Sequence, residues 1–246
     1  MERNAVKMIA LGLFVLALAF ALSAARPAQA QDAKNPYPAS MRPLDQYLMG
    51  RDAEIALARS AAPESISRDA TILVLGRHGY ETAVQGHNGF VCLVDRSWGA
   101  AFDWPEFWNP KVRSATCFNP LAAHSIIPIM REKTDLFIAG RSKAEVVDAL
   151  KASFAKGELP ALEPGAMSYM MGKGSYLTDK GNHDLAHVMF YTSSDAAAWG
   201  ANLPNSPVRG GLWFYGQQSK NQLKGLPAIN IFIVAVRNWS DGTPVN

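Results

Sequence analysis

The spacing of apolar residues changes character twice along this chain, and the order of those changes restricts the fold more than any other feature. Thr71 to Leu75 is a compact, β-branched run, and Tyr80, Thr82 and Val84 then alternate with polar Glu81 and Gln85, as in a half-buried strand. From Asn119 to Gly157 the spacing is helical. Past Pro164 short strand-like runs return at Ala166 to Met171, Val188 to Tyr191, Leu212 to Tyr215 and Ile229 to Val236. Parallel α/β folds alternate strand and helix regularly, whereas here strands stand on either side of a helical block. This order implies an α+β domain: a mostly antiparallel sheet with helices packed on one face.

Local chemistry sharpens several elements. Ile55, Ala58 and Ala62 recur at helical spacing from Arg51 to Ala62, and Pro63 ends that segment. Gly86-His87-Asn88-Gly89 carries turn residues before the apolar run Phe90 to Val94, which predicts an antiparallel hairpin. Asn119-Pro120 offers a capping side chain followed by proline at the first helical position. The helix it starts is expected to run towards Gly140 with a bend at Pro128. Ser142 and Glu145 have capping-box spacing, Val146, Val147, Leu150 and Phe154 share one face, and Gly157 stops the second helix of the pair.

Ahead of this lies a different kind of segment. Arg3 and Lys7, the apolar run Met8 to Leu22 and the small-residue pattern Ala28-Gln29-Ala30 together have the form of a secretory signal over residues 1–30. The run falls short of the roughly 20 residues a membrane-spanning helix needs. A mature chain starting at Gln31 is therefore expected, with an extended lead-in over 31–41, one domain over 42–246 and no membrane span. The expected location is secreted or periplasmic. Removing Arg3, Lys7 and Arg26 with Glu2 lowers the formal charge from +3 to +1. The basic character thus belongs mostly to the leader, and it gives no argument for a nucleic-acid partner. Cys92 and Cys117 are the only cysteines, and in an oxidising compartment a disulfide between them is expected.

The segments Glu54 to Pro63, Asn88-Gly89-Phe90 with Cys92-Leu93-Val94, and His187 to Tyr191 resemble a group of exported bacterial proteins with no assigned activity. The resemblance implies one exported domain and carries no catalytic residues across. Separately, Arg77-His78-Gly79 after an apolar strand resembles the signature of histidine phosphatases. That local resemblance implies His78 as nucleophile, Arg77 as phosphate clamp and Glu81 as the acid, with Arg113 as the further arginine. The hairpin pattern opposes it, because that fold sends its first strand into a crossover helix; Arg77 and His78 would then simply flank a glycine kink.

Other residues could carry chemistry. His183 and His187 have zinc-like spacing only on a helix, and on a strand their rings would lie roughly 13 Å apart. They are weak metal candidates, and neither a metal nor a cofactor is expected. Trp98, Phe102, Trp104, Phe107 and Trp108 crowd into eleven residues inside the span the disulfide would close. Such a loop either packs as a satellite core or presents Trp98, Phe102, Trp104 and Trp108 to a ligand. Gly172-Lys173-Gly174-Ser175 reads as a turn between strands, and His124-Ser125 as a polar pair on a helix. The function these features favour is a binding or envelope-associated module for a small molecule, glycan or envelope protein. The alternative is an exported hydrolase, a phosphohydrolase centred on Arg77 and His78. N-terminal sequencing of the exported protein should return Gln31; a full-length chain recovered from membranes would contradict the cleaved signal.

Overall fold

The computed structural model describes residues 36–181, 185–194, 196–212 and 225–245. The leader and the start of the lead-in, together with His183 and residues 213–215 of one expected strand, lie outside them. The strands are β1 (Thr71–Gly76), β2 (Gly79–Val84), β3 (Val91–Asp95), β4 (Ser114–Phe118), β5 (Met167–Met170), β6 (His187–Thr192), β7 (Val208–Leu212) and β8 (Asn230–Ala235). They form one mixed sheet in the order β2-β1-β3-β4-β5-β6-β8-β7. The α+β class and the mostly antiparallel sheet are as the sequence implies: β1 and β3 run parallel, and every other neighbouring pair is antiparallel.

That parallel pair corrects the expected hairpin. The β1–β2 hairpin closes at Arg77-His78, with Gly76 opposite Gly79, and the segment 85–90 does not pair β2 with β3. Instead it passes beneath the start of β1, where Thr71 N donates to Phe90 O (2.9 Å) and His87 N to Asp69 O (2.9 Å). A Cβ on Gly86 would lie 2.3 Å from the backbone of Ala70 and Thr71, so only glycine allows the crossing. Because the chain has already reversed through β2, a short loop delivers β3 to the far side of β1 in parallel. No crossover helix is needed.

The helices are α1 (Arg51–Arg59), α2 (Glu64–Ser67), α3 (Pro120–Ser125), α4 (Ile127–Ile138) and α5 (Lys143–Lys156). Asn119 caps α3 by accepting from Ala122 N at 2.9 Å. The expected bent helix is two helices, α3 and α4, divided at Ile126. Pro128 sits in the first turn of α4, where its missing N–H costs nothing; in an uninterrupted helix the same ring would clash with the preceding turn. In α5 both halves of the Ser142/Glu145 capping box form, and Gly157 ends the helix in the left-handed region.

Side-chain alternation divides the β1–β4 half of the sheet into two packed faces. Leu73, Leu75, Leu93 and Phe118 join Ile126, Ile129, Phe137, Val146 and Leu150 in the larger core, under α3, α4 and α5. Ile72, Cys92, Val94, Ala115 and Cys117 face the other way, against Ala58, Ala61 and Ala62. The small alanines bring α1 close to the strands, so a thin second layer lies opposite the main helical one. Among the described residues no helix is long and apolar enough to cross a membrane.

Cys92 and Cys117 are directly opposite one another in β3 and β4 and form the expected disulfide. It closes a loop with a sequence separation of 25 that contains the whole aromatic segment. Replacing both cysteines by alanine should lower stability by on the order of 3 kcal/mol and expose residues 98–110 to protease. Urea unfolding and limited proteolysis of the variant check this; an unchanged midpoint and digestion pattern would contradict it.

Candidate functional site

The segment leaving β3 is fixed by a buried ion pair. Arg96 and Glu54 are 0 % and 1 % exposed at their side chains, with Nη2 and Oε1 2.9 Å apart. Arg96 Nε donates to Tyr47 O at 2.7 Å and Nη1 to Val94 O, while Glu54 Oε1 also accepts Leu75 N at 3.0 Å. Each partner thus has its charge offset and makes further hydrogen bonds to the backbone, the condition under which two charges persist in a core. Next along the chain, Asp95 lies against Gly99, where a Cβ would meet its carboxylate at 1.8 Å. Glycine is required at that contact. A 3-10 turn over Ser97–Gly99 follows.

The aromatic segment is core, a correction for three of the four rings expected to face a ligand. Trp98, Phe102 and Trp108 are buried together with Phe107. Trp98 packs edge-on to Tyr47 and donates from Nε1 to Thr134 Oγ1 at 3.0 Å. Phe102, Phe107 and Trp108 gather around Phe137 of α4 with centroid distances of 6.3, 5.5 and 4.9 Å. Two lysines clamp the loop from the helices. Lys133 Nζ donates to Ala100 O (2.9 Å) and lies 4.3 Å from the Phe102 ring, and Lys143 Nζ donates to Phe102 O (2.6 Å) and lies 3.9 Å from the Phe107 ring. Burial lowers Lys133 to about 7 and Lys143 to about 8, and it raises Asp95 to about 6. The fourth ring, Trp104, is half-buried and reaches a cavity.

This cavity, about 660 Å³, lies on the same face of the sheet as α3 to α5, beyond their cover. Its floor is Phe118 of β4, Met170 of β5, Met189 of β6 and Ile231 and Ile233 of β8, which alternation and register align on one face. Trp104, Val112, Leu177 and Leu185 wall it. The polar groups are few: Asp95, Arg96 and Ser97 at the β3 end, Ser114 and Thr116 on β4, His187 on β6, and Ser206 with Arg209 at edge strand β7. Ser97 is 1 % exposed, and its Oγ has no hydrogen-bond partner among the described residues. His187 is buried, and its Nδ1 donates to Leu185 O at 2.7 Å.

Register separates the titratable groups. His187 is opposite Met170 and in the row that continues through Thr116 to Leu93, whereas Asp95 is two residues further on and three strands away. At standard strand spacing their Cα atoms are roughly 15 Å apart, far beyond direct proton transfer. Arg77, His78 and Glu81 do not line the cavity: they stand exposed at the β1–β2 hairpin, with Arg77 paired to Asp45 (2.7 Å) and Glu81 to Arg51 (2.6 Å). Arg113 instead secures the end of the aromatic segment, donating from Nη1 to Pro110 O and Val112 O, both at 2.7 Å. Burial lowers its guanidinium to about 10. Among the described residues no group of three or more His, Cys, Asp or Glu is arranged to hold a metal ion. His124 pairs with Glu163 on the surface, and in the expected turn Ser175 Oγ accepts Ala115 N at 3.1 Å.

Reading the sequence alone missed β4 and the cavity. Alternation of His187, Met189 and Tyr191 with Ile231 and Ile233 was the available signal, an apolar face with no amphipathic helix left to cover it. Comparison with protein-family models, with curated proteins and with solved structures finds no match.

The buried lysine gives the site a pH signature. Lys133 titrates near 7 in the fold and at its ordinary 10.5 when unfolded, so between these values the unfolded chain binds more protons and stability rises with pH, by at most about 1.4 kcal/mol per pH unit. Asp95 acts oppositely, because its raised value makes the folded state bind more protons between 3.8 and about 6; its contribution falls as pH rises through that window. Urea unfolding of wild type and Lys133→Met at pH 7.5 and 9.5 should therefore show wild type gaining stability relative to the variant at the higher pH. A constant difference would contradict the burial of the ammonium group.

Proposed function

We propose that the protein is an exported binding module whose cavity takes a small, largely apolar molecule. One observation carries this reading: an apolar floor built from four strands, with a few polar groups converging on it, in a volume within the range of small-molecule sites, about 300 to 1,000 Å³. The orphaned Ser97 hydroxyl supports it, since a buried polar atom with no partner is costly unless an incoming group satisfies it. Export is supported by the leader pattern and by the disulfide, a bond that persists in oxidising compartments. A hydrolase centred on Arg77 and His78 would work at an exposed hairpin turn, away from the cavity. Of the aromatic segment, Trp104 remains as the ligand-contacting ring.

The neutral fluorophore N-phenyl-1-naphthylamine tests the cavity. Saturable binding is expected in wild type, weakened at least tenfold by Met170→Trp and by Ile233→Trp, two half-buried floor positions with open space in front of them. His78→Ala should bind as wild type does, and circular dichroism confirms that each variant is folded. No saturable binding, or equal binding by both filled variants, would refute the reading.

A further inference from the structure

Charge along the cavity is uneven, and the imbalance selects a ligand class. Arg96 is offset by Glu54 at 2.9 Å through Nη2, and its Nε and Nη1 donate to the carbonyl oxygens of Tyr47 and Val94. Asp95 is the only carboxylate lining the cavity among the described residues, and it stands at the β3 end, where Lys133 attracts it. At the opposite end Arg209 is exposed on β7, opposite Ile233 and on the cavity side of the sheet. Among the described residues no acidic residue lines that end. Between the two ends the floor crosses from β3 to β7, five strand spacings in the sheet order, or roughly 24 Å along its surface.

We infer that the ligand is a single-chain amphiphile with an anionic head, its carboxylate held by Arg209 at the β7 end and its chain lying over Met189, Ile233 and Met170 towards β4. This rests on the binding-module reading above and adds the class and orientation of the ligand. The orientation follows from charge. A carboxylate placed at the other end would meet Asp95, whereas at β7 it meets a guanidinium whose planar fork matches two carboxylate oxygens. An elongated molecule suits the floor better than a compact one, because the apolar residues extend across strands in a row and do not close around a point. Arg209 is exposed where it lines the cavity, so the anion need not be fully dehydrated to bind.

Displacement of bound N-phenyl-1-naphthylamine by laurate and by 1-dodecanol separates the head from the chain. Laurate should displace the probe from wild type at a concentration about tenfold lower than dodecanol does. Arg209→Gln should raise the laurate midpoint about tenfold and leave the dodecanol midpoint unchanged, and Arg209→Lys should recover part of the loss. Arg77→Ala, which removes an exposed arginine away from the cavity, should change neither midpoint. Equal midpoints for the two amphiphiles in wild type, or a preference for laurate that survives Arg209→Gln, would overturn the assignment while the apolar cavity stood. Failure of the fluorophore itself to bind would remove the underlying reading instead. Co-sedimentation with phosphatidylglycerol vesicles distinguishes a membrane surface: Arg209-dependent binding to vesicles without displacement by monomeric laurate would likewise overturn the proposal.

Discussion

Glu54 and Arg96 meet where four parts of the chain converge: α1 supplies the carboxylate, β1 and β3 supply Leu75 N and Val94 O, and the segment before α1 supplies Tyr47 O. Taking two charges out of water is expensive, and an apolar pair of the same volume can be as stable. The ion pair supplies direction. An apolar pair would fill the space without fixing how the chain leaves β3, whereas a guanidinium tied at three nitrogens fixes it closely. Asp95 and Ser97, on either side of Arg96, are thereby held against Gly99 and at the cavity wall, and the aromatic segment starts at the angle that places it under α4.

The sequence made the periodic elements legible and left the long-range ones hidden. Ser142, Glu145 and Gly157 state both ends of α5 in their own side chains, and Asn119-Pro120 states the start of α3. The disulfide followed from the cysteine count and the expected compartment. The topology at Gly86 was a different matter. Gly-His-Asn-Gly has the composition of a hairpin turn, and only the close approach of the Ala70 backbone distinguishes a loop that passes under a strand from one that pairs its neighbours. β4 escaped notice because Ser-Ala-Thr-Cys-Phe lacks a β-branched run; its strand state is imposed by pairing with β3 and β5. Glu54 likewise reads as the polar side of an amphipathic helix until its partner, 42 residues away, is known.

The site was the least legible part, for a related reason. Its floor draws one or two residues from each of four strands, none unusual alone, and the cavity exists because the helical block ends where it does. α3, α4 and α5 cover the larger core over β1 to β5, and the aromatic segment fills the adjoining space. Met189, Tyr191, Ile229 and Ile231 continue the larger core towards β6 and β8, and the cavity opens beside them under Trp104, Val112, Leu177 and Leu185. The lysines clamping the aromatic segment also separate two uses of aromatic surface: rings held under Lys133 and Lys143 serve the core, and Trp104, beyond their reach, borders the open space.

The two halves of the sheet differ in how they are held. β1, β3 and β4 are packed on both faces, cross-linked between β3 and β4 and tied to α1 by a buried ion pair. β6, β7 and β8 rely chiefly on backbone ladders and one packed face, with Phe190, Trp199 and Leu203 still in contact with water. Amide hydrogens of β1, β3 and β4 are therefore expected to exchange through near-global unfolding, while those of edge strand β7 are expected to exchange through a smaller opening that leaves the rest intact. The edge ladder that carries Arg209 is therefore able to loosen without the rest, so that the firmness of the cavity mouth depends on the local free energy of a strand edge and is separate from the stability of the domain that supports it.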